Sequence, residues 1–448
     1  MFSLLHGPLH DPLHGSLRGR LHRLRQLPVR AGAAAAAALA LLLASPGPAH
    51  AASGDLDPSF GGNGKVVNLD ISAPEDGHGL AVQDDGKLVV LGSFYGEGTG
   101  PDFAMVRYNP DGTLDSGFGN QGIVTTDFQQ GEEVSRGVAL QSDGKIVVVG
   151  TSQRPGSEGC CWFTVARFQP NGALDTGFGD GGRTITDFGD DGAADAYAVT
   201  VQSDDRIVAV GQSGGDIAVA RYDSGGNPDP TFSGDGRLKT HFSGGDISIA
   251  QDVAVQSDGR IVVAGGVGLG NPGYRPGFAL VRYNTNGSLD TGFDGDGKRV
   301  VSFSGEAQGY GLVLVPGGDM AVAGYVTPSG GNSRFALARL NSDGSLDTGF
   351  DGDGKVTTPF SASARAHDLA LQSDGKLVAA GSRGGDWALA RYNTDGSLDT
   401  GFAGDGKVVT DFTVGLSDHA RDVAVQPDGR IVAAGDAETY LALARYLP

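Results

Sequence analysis

The sequence predicts an all-β fold built from seven copies of one unit, and three observations lead to this prediction. Glycine provides 76 of the 448 residues, which argues against a helical fold because a glycine inside a helix costs about 1 kcal/mol relative to alanine. Three short motifs each recur seven times, in the same order, after residue 51. No segment in that region has the apolar period of an amphipathic helix. Together these features indicate short antiparallel strands joined by tight turns.

The first 51 residues differ from the rest and predict a signal peptide. Five arginines precede an apolar run at 31–44, and Ala49, His50 and Ala51 follow that run. A basic segment, a short apolar run and an A-x-A site are typical of a secretory signal. The run is shorter than the ~20 residues that span a bilayer. We therefore expect no membrane insertion and an exported chain, residues 52–448, that is periplasmic or extracellular.

Three motifs define the repeat. The first, L-D-x-x-F, begins at Leu56, Leu114, Leu174, Leu289, Leu346 and Leu398, with a variant at Pro228. The second, Q-x-D-G, begins at Gln83, Gln141, Gln256, Gln372 and Gln426, and is altered at Gln202 and Val315. The third places an arginine before a mostly aromatic residue, at Arg107, Arg167, Arg221, Arg282, Arg339, Arg391 and Arg445. Three motifs with equal counts in one register indicate a repeat architecture.

Each copy is interpreted as four short strands. In the sixth copy we expect strands at 368–372, 376–380, 387–392 and 406–412, with Gly381 ending the second, because Asp, Asn and Gly clusters separate these runs. Four strands in each of seven copies predict a seven-bladed β-propeller, with an open β-solenoid as the alternative. A fourth-strand segment at 56–69 precedes the first complete copy, and the last copy stops after its third strand. The N-terminal strand is therefore expected to complete the last blade of one domain, 52–448.

These motifs resemble the delta-60 repeat family of exported bacterial proteins, and the strand order resembles NHL-type propellers. The resemblance covers the chain after residue 51 and implies a propeller fold without implying an activity. Three positions depart from the pattern, namely Asp205, Pro228 and Val315. They place the local turn geometry in question and leave the fold prediction unchanged.

The residues present in every copy are predicted to be scaffold. Each copy pairs its arginine with the aspartate of L-D-x-x-F, and we expect these pairs to lock the turn after strand three. The aspartates are Asp57, Asp115, Asp175, Asp229, Asp290, Asp347 and Asp399. The apolar residue four positions before each arginine, which is Trp387 in the sixth copy, is expected in the core between blades. Trp387 is therefore excluded from any binding site.

One position that varies between copies predicts a binding site. Five residues before each Q-x-D-G start, the chain has a polar or aromatic donor where the innermost strand is expected to begin, while the rest of that strand is interpreted as small or aliphatic. This funnel ring comprises His78, Arg136, Tyr197, Gln251, Tyr310, His367 and Arg421. Such a ring suits an uncharged polar or an anionic ligand such as a sugar. A solvated funnel without a ligand is the alternative.

The loops between strands two and three suggest a second place for a ligand. Cys160 and Cys161 are adjacent in the longest of these loops, followed by Trp162. In an oxidising compartment the two thiols can form a vicinal disulfide or stay reduced. Trp162 is expected to face solvent, where it could stack on a sugar. A loop stiffened by a local bond is the simpler interpretation.

No cofactor is predicted, and calcium stays open as a weak alternative. The turns that begin at Asn109, Asn284, Asn341 and Asn393 place oxygen-bearing residues at positions one, three and seven with glycine at four. This spacing loosely resembles a Ca²⁺ loop, but Ca²⁺ needs 6–8 oxygens and the Asn-x-Asp-Gly pattern is also ordinary turn chemistry.

Composition and motifs favour binding over catalysis. A net charge of -20 disfavours nucleic acid as a partner. No nucleophile elbow, zinc-binding H-E-x-x-H pair or P-loop occurs after residue 51. We expect a monomeric, non-enzymatic binding or scaffold protein that recognises a glycan or an envelope or matrix protein through its variable loop face. A propeller hydrolase or lyase acting on an extracellular polysaccharide is the alternative.

Overall fold

The computed structural model describes residues 51–72, 79–95, 100–128, 132–153, 161–189, 193–242, 247–269, 276–412, 415 and 417–448. Two of the predicted site residues, His78 and Cys160, lie outside this set, as does the signal segment apart from Ala51. Every regular element in the described residues is a β-strand. None of the described segments forms a helix long and apolar enough to span a bilayer.

Twenty-eight strands follow one another along the described chain. They are β1 (Lys65–Ser72), β2 (Leu80–Val82), β3 (Leu88–Tyr95), β4 (Pro101–Tyr108), β5 (Ile123–Thr126), β6 (Glu133–Leu140), β7 (Ile146–Gln153), β8 (Cys161–Phe168), β9 (Arg183–Thr186), β10 (Ala194–Val201), β11 (Ile207–Ser213), β12 (Asp216–Tyr222), β13 (Arg237–Thr240), β14 (Ile247–Val255), β15 (Ile261–Leu269), β16 (Gly277–Tyr283), β17 (Lys298–Val301), β18 (Glu306–Val315), β19 (Asp319–Thr327), β20 (Arg334–Leu340), β21 (Lys355–Thr358), β22 (Ala364–Leu371), β23 (Leu377–Arg383), β24 (Asp386–Tyr392), β25 (Lys407–Thr410), β26 (Asp418–Val425), β27 (Ile431–Ala437) and β28 (Tyr440–Tyr446).

The strands form antiparallel sheets of four consecutive strands, which we call blades one to seven. Blades two to six are separate four-stranded sheets, from β6–β9 to β22–β25. Blade one is β2–β5, and blade seven contains β26, β27, β28 and β1 in that order. A single residue pair, Ser72 with Ser93, links these two blades into one eight-stranded sheet. The first strand of each blade contacts the first strand of the next, and β26 contacts β2.

The hydrophobic core lies between neighbouring blades. Each of seven apolar clusters combines residues of two adjacent blades. The residue four positions before each repeated arginine is at most 2% exposed, which confirms its predicted core role, and Trp387 is fully buried. Its indole Nε1 donates to the carbonyl oxygen of Asp436 at 2.8 Å. Strands two and three of a blade are apolar on both faces because another blade covers each face.

The predicted arginine–aspartate pair is present in every blade. Nε or Nη2 of the guanidinium lies 2.7–3.1 Å from the partner carboxylate in all seven pairs. In six of them the phenylalanine of the same L-D-x-x-F motif lies under the guanidinium, with its ring centroid 4.4–4.9 Å from Cζ. The motif therefore supplies both the counter-ion and the aromatic surface for the arginine.

The same arginine also connects its blade to the next one. Arg107 Nη1 donates to the carbonyl oxygen of Pro170 at 2.6 Å, and Arg221 Nη1 donates to that of Thr285 at 2.6 Å. Each acceptor lies in the turn after strand three of the following blade. We call the arginine, its aspartate and this carbonyl a latch. A latch holds one turn in place and joins two blades with charge-assisted hydrogen bonds.

The N-terminal segment takes part in these contacts. β1 pairs antiparallel with β28, from Lys65 opposite Ala444 to Asn68 opposite Leu441. Arg445, from the last strand, donates to the carbonyl oxygen of Pro110 in blade one. The side chain of Asn68 also donates to the hydroxyl of Tyr108 at 3.3 Å. The equivalent tyrosines of blades three, four, six and seven each bond a threonine on strand four of the preceding blade.

Two local expectations need correction. Gly381 does not end the second strand of blade six, because β23 continues to Arg383. The inner strand of that blade begins at Ala364 rather than at Asp368, so it is longer than the apolar run indicates.

The altered turn in blade three keeps the regular geometry, since Asp205 adopts a φ of 61° where Gly86 has 80°. Aspartate tolerates this left-handed conformation better than most residues.

Candidate functional site

Each described residue of the funnel ring lies at a β-bulge in the inner strand of its blade. The pairing of strands one and two shifts register at Arg136, Tyr197, Gln251, Tyr310, His367 and Arg421. The ring position is therefore inside the strand and not at its start. A bulge leaves its extra residue unpaired and re-aims the side chain. The repeated bulge explains how each inner strand of blades two to seven presents one polar side chain.

A glycine in the second strand makes room for each bulge. A Cβ added to any of these glycines would lie only 1.9 or 2.0 Å from the carbonyl oxygen two residues before the ring position. The glycines are Gly150, Gly211, Gly265, Gly324, Gly381 and Gly435. The glycine that the sequence suggests as a strand end is thus a close-approach position within the strand. It is required because the bulged backbone presses against it.

One cavity brings the ring residues together. It has a volume of about 390 Å³, and residues from all seven blades line it. Arg136, Tyr197, Gln251, Tyr310, His367 and Arg421 all belong to its wall. Gly79, from blade one, also lines it and directly follows His78, which is outside the described residues. The role of the ring residues in ligand binding stays a prediction.

Blades two and three contribute a cation beside an aromatic ring. Cζ of Arg136 lies 4.6 Å from the ring centroid of Tyr197. Its Nη1 is 3.4 Å from Oδ1 of Asp195 and donates to the hydroxyl of Thr151 at 3.2 Å. Asp195 also accepts a hydrogen bond from Gln212 at 2.7 Å. The positive charge of Arg136 is therefore already partly neutralised by the protein.

Blades five and six contribute an aromatic surface. The rings of Tyr310 and His367 meet edge to face with centroids 5.4 Å apart. Tyr310 also stacks on Tyr325 at 6.2 Å, and the guanidinium of Arg365 covers the Tyr325 ring at 4.5 Å. Burial, together with the charges of Arg421 and His419, lowers the pKa of His367 to about 3. His367 is consequently neutral at pH 7 and can donate one hydrogen bond and accept another.

Blade seven closes the wall with a second paired arginine. Nε of Arg421 donates to Asp436 at 3.0 Å, and Nδ1 of His419 lies 2.8 Å from the other oxygen of that carboxylate. Asp436 is 4% exposed. Burial alone would raise its pKa, but the hydrogen bond of His419 and the charge of Arg421 lower it. Arg421 is therefore neutralised within its own blade.

Three aspartates in the cavity wall were missed by the sequence reasoning. Asp252, Asp368 and Asp422 directly follow the ring residues of blades four, six and seven. They contradict the expectation that the inner strand is otherwise small or aliphatic. The signal was present in the sequence, since the other four blades have Gly or Ala at this position. The role of an aspartate at this position depends on which strand lies next to its carboxylate.

Each of these carboxylates bonds the inner strand of the following blade. Asp252 accepts from the N–H of Leu312 at 2.7 Å, and Asp422 accepts from that of Leu80 at 2.8 Å. Asp368 accepts from the N–H of Val423 at 2.9 Å. Burial raises the pKa of Asp252 to about 7, although the N–H groups of Leu312 and Val253 act in the opposite direction.

Asp368 and Asp422 influence each other across the cavity wall, and the pKa of both carboxyls is raised, chiefly by burial. Burial, followed by the charge of Asp422, raises the pKa of Asp368 well above its ordinary value. Each carboxyl keeps part of its surface on the cavity although protein surrounds it elsewhere. Burial in the cavity wall therefore favours the protonated form of these acids.

Cys161 and Trp162, the other predicted site residues that the structure describes, do not line this cavity. They are the first two residues of β8, and both are partly buried. Trp162 therefore keeps part of its surface accessible to solvent, and its role in stacking on a sugar stays a prediction. In the Asn-x-Asp-Gly turns, the side-chain amide nitrogen of the first residue donates within the turn, and Oδ1 of the third residue accepts within it. For example, Asp111 accepts from the N–H and hydroxyl of Thr113 at 2.9 and 2.6 Å.

The model of one protein family matches the chain in every repeat. Its description is "Domain of unknown function (DUF5122) beta-propeller", and the matched residues are 83–118, 141–178, 202–232, 256–293, 318–350, 372–402 and 426–448. These stretches cover just over half of the chain. A comparison with curated proteins gives no match.

Several solved structures are similar to this chain. The WD40 repeats of RRP9 have a TM-score of 0.48 at 10% identity, covering 85% of this chain and 97% of that one. A structure titled "YCF48 bound to D1 peptide" has a TM-score of 0.47 at 12% identity, covering 86% and 94%. A gluconolactonase from Xanthomonas campestris has a TM-score of 0.39 at 15% identity, covering 86% and 99%. None of these values bears on function.

Proposed function

The chain belongs to the DUF5122 family of β-propellers, a description that carries no activity, and from its central cavity we propose that it is a non-enzymatic glycan-binding protein. The observation that carries this proposal is that all six described ring side chains occupy bulges and line one cavity. These residues differ from blade to blade, whereas the latch residues recur in every blade. Residues that vary on a repeated scaffold are where binding specificity usually resides.

The chemistry of the cavity favours a neutral, hydroxyl-rich ligand. Both arginines of the ring already have carboxylate partners, Asp195 and Asp436. His367 is neutral at pH 7, and Gln251 and the tyrosines offer both donors and acceptors. The rings of Tyr197 and Tyr310 supply flat apolar surface beside these polar groups. A volume of about 390 Å³ lies within the range of small-ligand pockets and suits one terminal sugar unit.

A glycan array with the purified protein tests this proposal. We expect specific hits, and binding to a hit should weaken at least about tenfold in Tyr310→Ala and in His367→Ala, because loss of about 1.4 kcal/mol is a tenfold change. Tyr95→Ala is the matched control, since Tyr95 is 61% exposed and does not line the cavity. A blank array would favour a protein partner, and binding that survives both cavity variants would place the site elsewhere.

A hydrolase or lyase is the second candidate, and it is favoured by Asp368, a cavity-wall carboxyl whose pKa burial raises. A protonated carboxyl in a sugar-sized cavity is the group that a general acid requires. Asp368 and Asp422, however, bond backbone N–H groups of the next blade, which is a structural task. Release of reducing ends from a bound polysaccharide, abolished in Asp368→Asn, would establish the enzyme. Binding without turnover would leave the binding protein.

We also infer that the seven blades form a closed ring in which the N-terminal strand completes blade seven. The pairing of β1 with β28, the contact of β26 with β2, and the hydrogen bonds of Arg445 and Asn68 to blade one support this arrangement. A protein lacking residues 52–72 should then fail to fold, because the buried Phe60 and Ile71 would be lost together with the fourth strand.

We propose that the chain is exported, on the basis of the basic, apolar and A-x-A features of residues 1–51. N-terminal sequencing of the protein recovered from a bacterial periplasm or culture medium should begin at Ala52. An intact N-terminus on a protein retained in the cytoplasm would contradict export.

A further inference from the structure

A compact group of acids lies where blade one meets blade two, and none of its members lines the central cavity. Asp102 is on β4, Asp127 directly follows β5, and Glu133 begins β6. One carboxylate oxygen from each lies within 4.8 Å of the other two. Asp102 is 7% exposed and Glu133 is fully buried, whereas Asp127 is exposed and leaves the group open to solvent.

Two of these carboxylates have buried oxygens without a donor. Oδ1 of Asp102 and Oε1 of Glu133 are buried, and no hydrogen-bond donor among the described residues reaches either atom. The other oxygen of Glu133 accepts from the N–H of Phe128 at 2.9 Å. Burying a charged oxygen without a partner is costly, and native proteins rarely do so. A positively charged partner would satisfy these two oxygens of Asp102 and Glu133.

Blades three and six show how the same acid is satisfied elsewhere. Asp216 of blade three occupies the repeat position of Asp102, and it pairs with His241 at 2.8 Å. Asp386 of blade six occupies that position as well, and it pairs with Arg383 at 3.0 Å. His241 itself occupies the position that Asp127 has in blade one. Blade one thus places a second acid where blade three places a histidine that pairs with the aspartate.

Blade seven shows how the buried acid of the inner strand is satisfied. Asp418 occupies the repeat position of Glu133 and is fully buried. Its Oδ2 accepts from the N–H of Phe412 at 3.0 Å, and its Oδ1 accepts from that of Glu438 at 2.9 Å. The bond to Phe412 matches the bond from Phe128 to Glu133. Blade two keeps this first bond, and no donor among the described residues provides an equivalent of the second.

Arg183 is the protein cation that acts on Glu133. Burial and the charges of Asp127 and Asp102 raise the pKa of Glu133, and the charge of Arg183 lowers it. The guanidinium, however, lies over Phe128, with Cζ 5.1 Å from the ring centroid, and its Nη1 has no acceptor among the described residues. Arg183 therefore does not fill the position of such a partner.

We propose that Asp102, Asp127 and Glu133 bind a calcium ion that joins blade one to blade two. The donors are all carboxylate oxygens, which are the ligands of hard cations, and no His or thiolate is present to favour zinc. Ca²⁺ accepts irregular sets of bidentate carboxylates and water, whereas Mg²⁺ demands near-octahedral geometry. The site differs from the Asn-x-Asp-Gly turns and does not depend on the glycan proposal.

Calorimetric titration of the metal-free protein with CaCl₂ tests the proposal. We expect one ion per chain and weaker binding of MgCl₂. Loss of a supporting residue near a metal already weakens affinity about 10- to 100-fold, so Glu133→Gln and Asp102→Asn should each weaken Ca²⁺ binding at least about tenfold. Asp386→Asn is the matched control, because it changes the same repeat position in a blade where the acid has an internal partner. This control should bind Ca²⁺ like the wild type.

Melting temperature provides a second readout that separates a metal ligand from a merely structural acid. With EDTA, Glu133→Gln should melt above the wild type because it removes charge repulsion, and with Ca²⁺ the order should reverse. Absence of Ca²⁺ binding by the wild type overturns the proposal. So does Ca²⁺ binding that Glu133→Gln leaves intact, or a variant that melts below the wild type in both buffers.

Discussion

The latches and the central cavity are two regions built by the same seven repeats, and they use charged residues in opposite ways. In a latch, the arginine and its aspartate recur in every blade and neutralise each other within a turn. In the cavity, the residue at the bulge changes from blade to blade, and three partly buried aspartates bond backbone N–H groups of the next blade. Residues that recur in every blade are therefore those that each blade needs in order to fold. Residues that change from blade to blade distinguish one blade of this chain from another.

The largest effect on stability is expected from breaking a latch. Arg221 is 2% exposed and Asp229 is 4% exposed, so Arg221→Ala leaves a buried carboxylate without its partner. Removal of one member of a buried pair costs about 3–5 kcal/mol. Arg206 also lies 3.2 Å from Asp229, but its side chain is 40% exposed, so Arg206→Ala should cost less than about 1 kcal/mol. Urea unfolding measures the loss of stability in each variant. Equal losses would show that the latch arginine stabilises the fold no more than the exposed Arg206 does.

A pH series should show opposite signs for a cavity acid and a latch acid. The raised pKa of Asp252, about 7, means that the folded state binds a proton more tightly than the unfolded state between pH 4 and 7, so wild-type stability falls as pH rises through that window. Asp252→Asn should therefore match the wild type at about pH 4 and below and exceed it at pH 8, by on the order of 1–3 kcal/mol.

Asp290 serves as the latch counterpart. Burial alone would raise its pKa, but the N–H of Gly292 and the guanidinium of Arg282 lower it. Its stabilising effect is therefore present above pH 4 and lost as pH falls further. Asp290→Asn should be less stable than the wild type at neutral pH, and this difference should shrink in acid. Parallel curves for the two variants would mean that cavity and latch carboxylates lie in similar environments.

An intermediate effect is expected at the seam between blades seven and one. Tyr108→Phe removes the hydroxyl that accepts from Asn68 of β1, and Tyr283→Phe removes the equivalent bond to Thr240 between blades three and four. A buried hydrogen bond contributes about 1 kcal/mol. If the ring is closed, both variants should lose about that amount in chemical unfolding. A loss confined to Tyr283→Phe would show that the seam is open in solution.

The smallest effect on stability is expected from the funnel ring. Gln251 is a bulge residue without strand partners and is only partly buried. Gln251→Ala should change the free energy of unfolding by less than about 0.5 kcal/mol while weakening binding of a glycan hit. The two quantities are measured on one preparation by urea unfolding and titration. A large loss of stability would assign Gln251 to the scaffold.

Much of the scaffold could be predicted because its residues act locally. The latch arginine and its aspartate are eight residues apart in blades one to six, so a turn brings them together without help from the rest of the fold. The strand ends were harder. Gly381 suggests a strand end, yet it lies inside β23 because the bulge at His367 approaches it across the sheet.

The candidate sites could be predicted only in part. The position five residues before Q-x-D-G identifies the ring, since each blade contributes one side chain at the same register. The acids of the cavity wall were missed because their partners, such as Leu312 for Asp252, lie about sixty residues away on another blade. The group of Asp102, Asp127 and Glu133 was missed for the same reason, because its members belong to two blades.

By itself the sequence determined the all-β class, the sevenfold repeat, the latch pairs and the register of the ring position. These follow from motif spacing, turn chemistry and strand alternation, which act over distances shorter than one blade. Only the tertiary structure decided which charges are neutralised and which are left buried without a partner. Desolvation and charge neutralisation depend on neighbouring blades, and a repeat of about sixty residues does not show which of its acids will face an acid of the next.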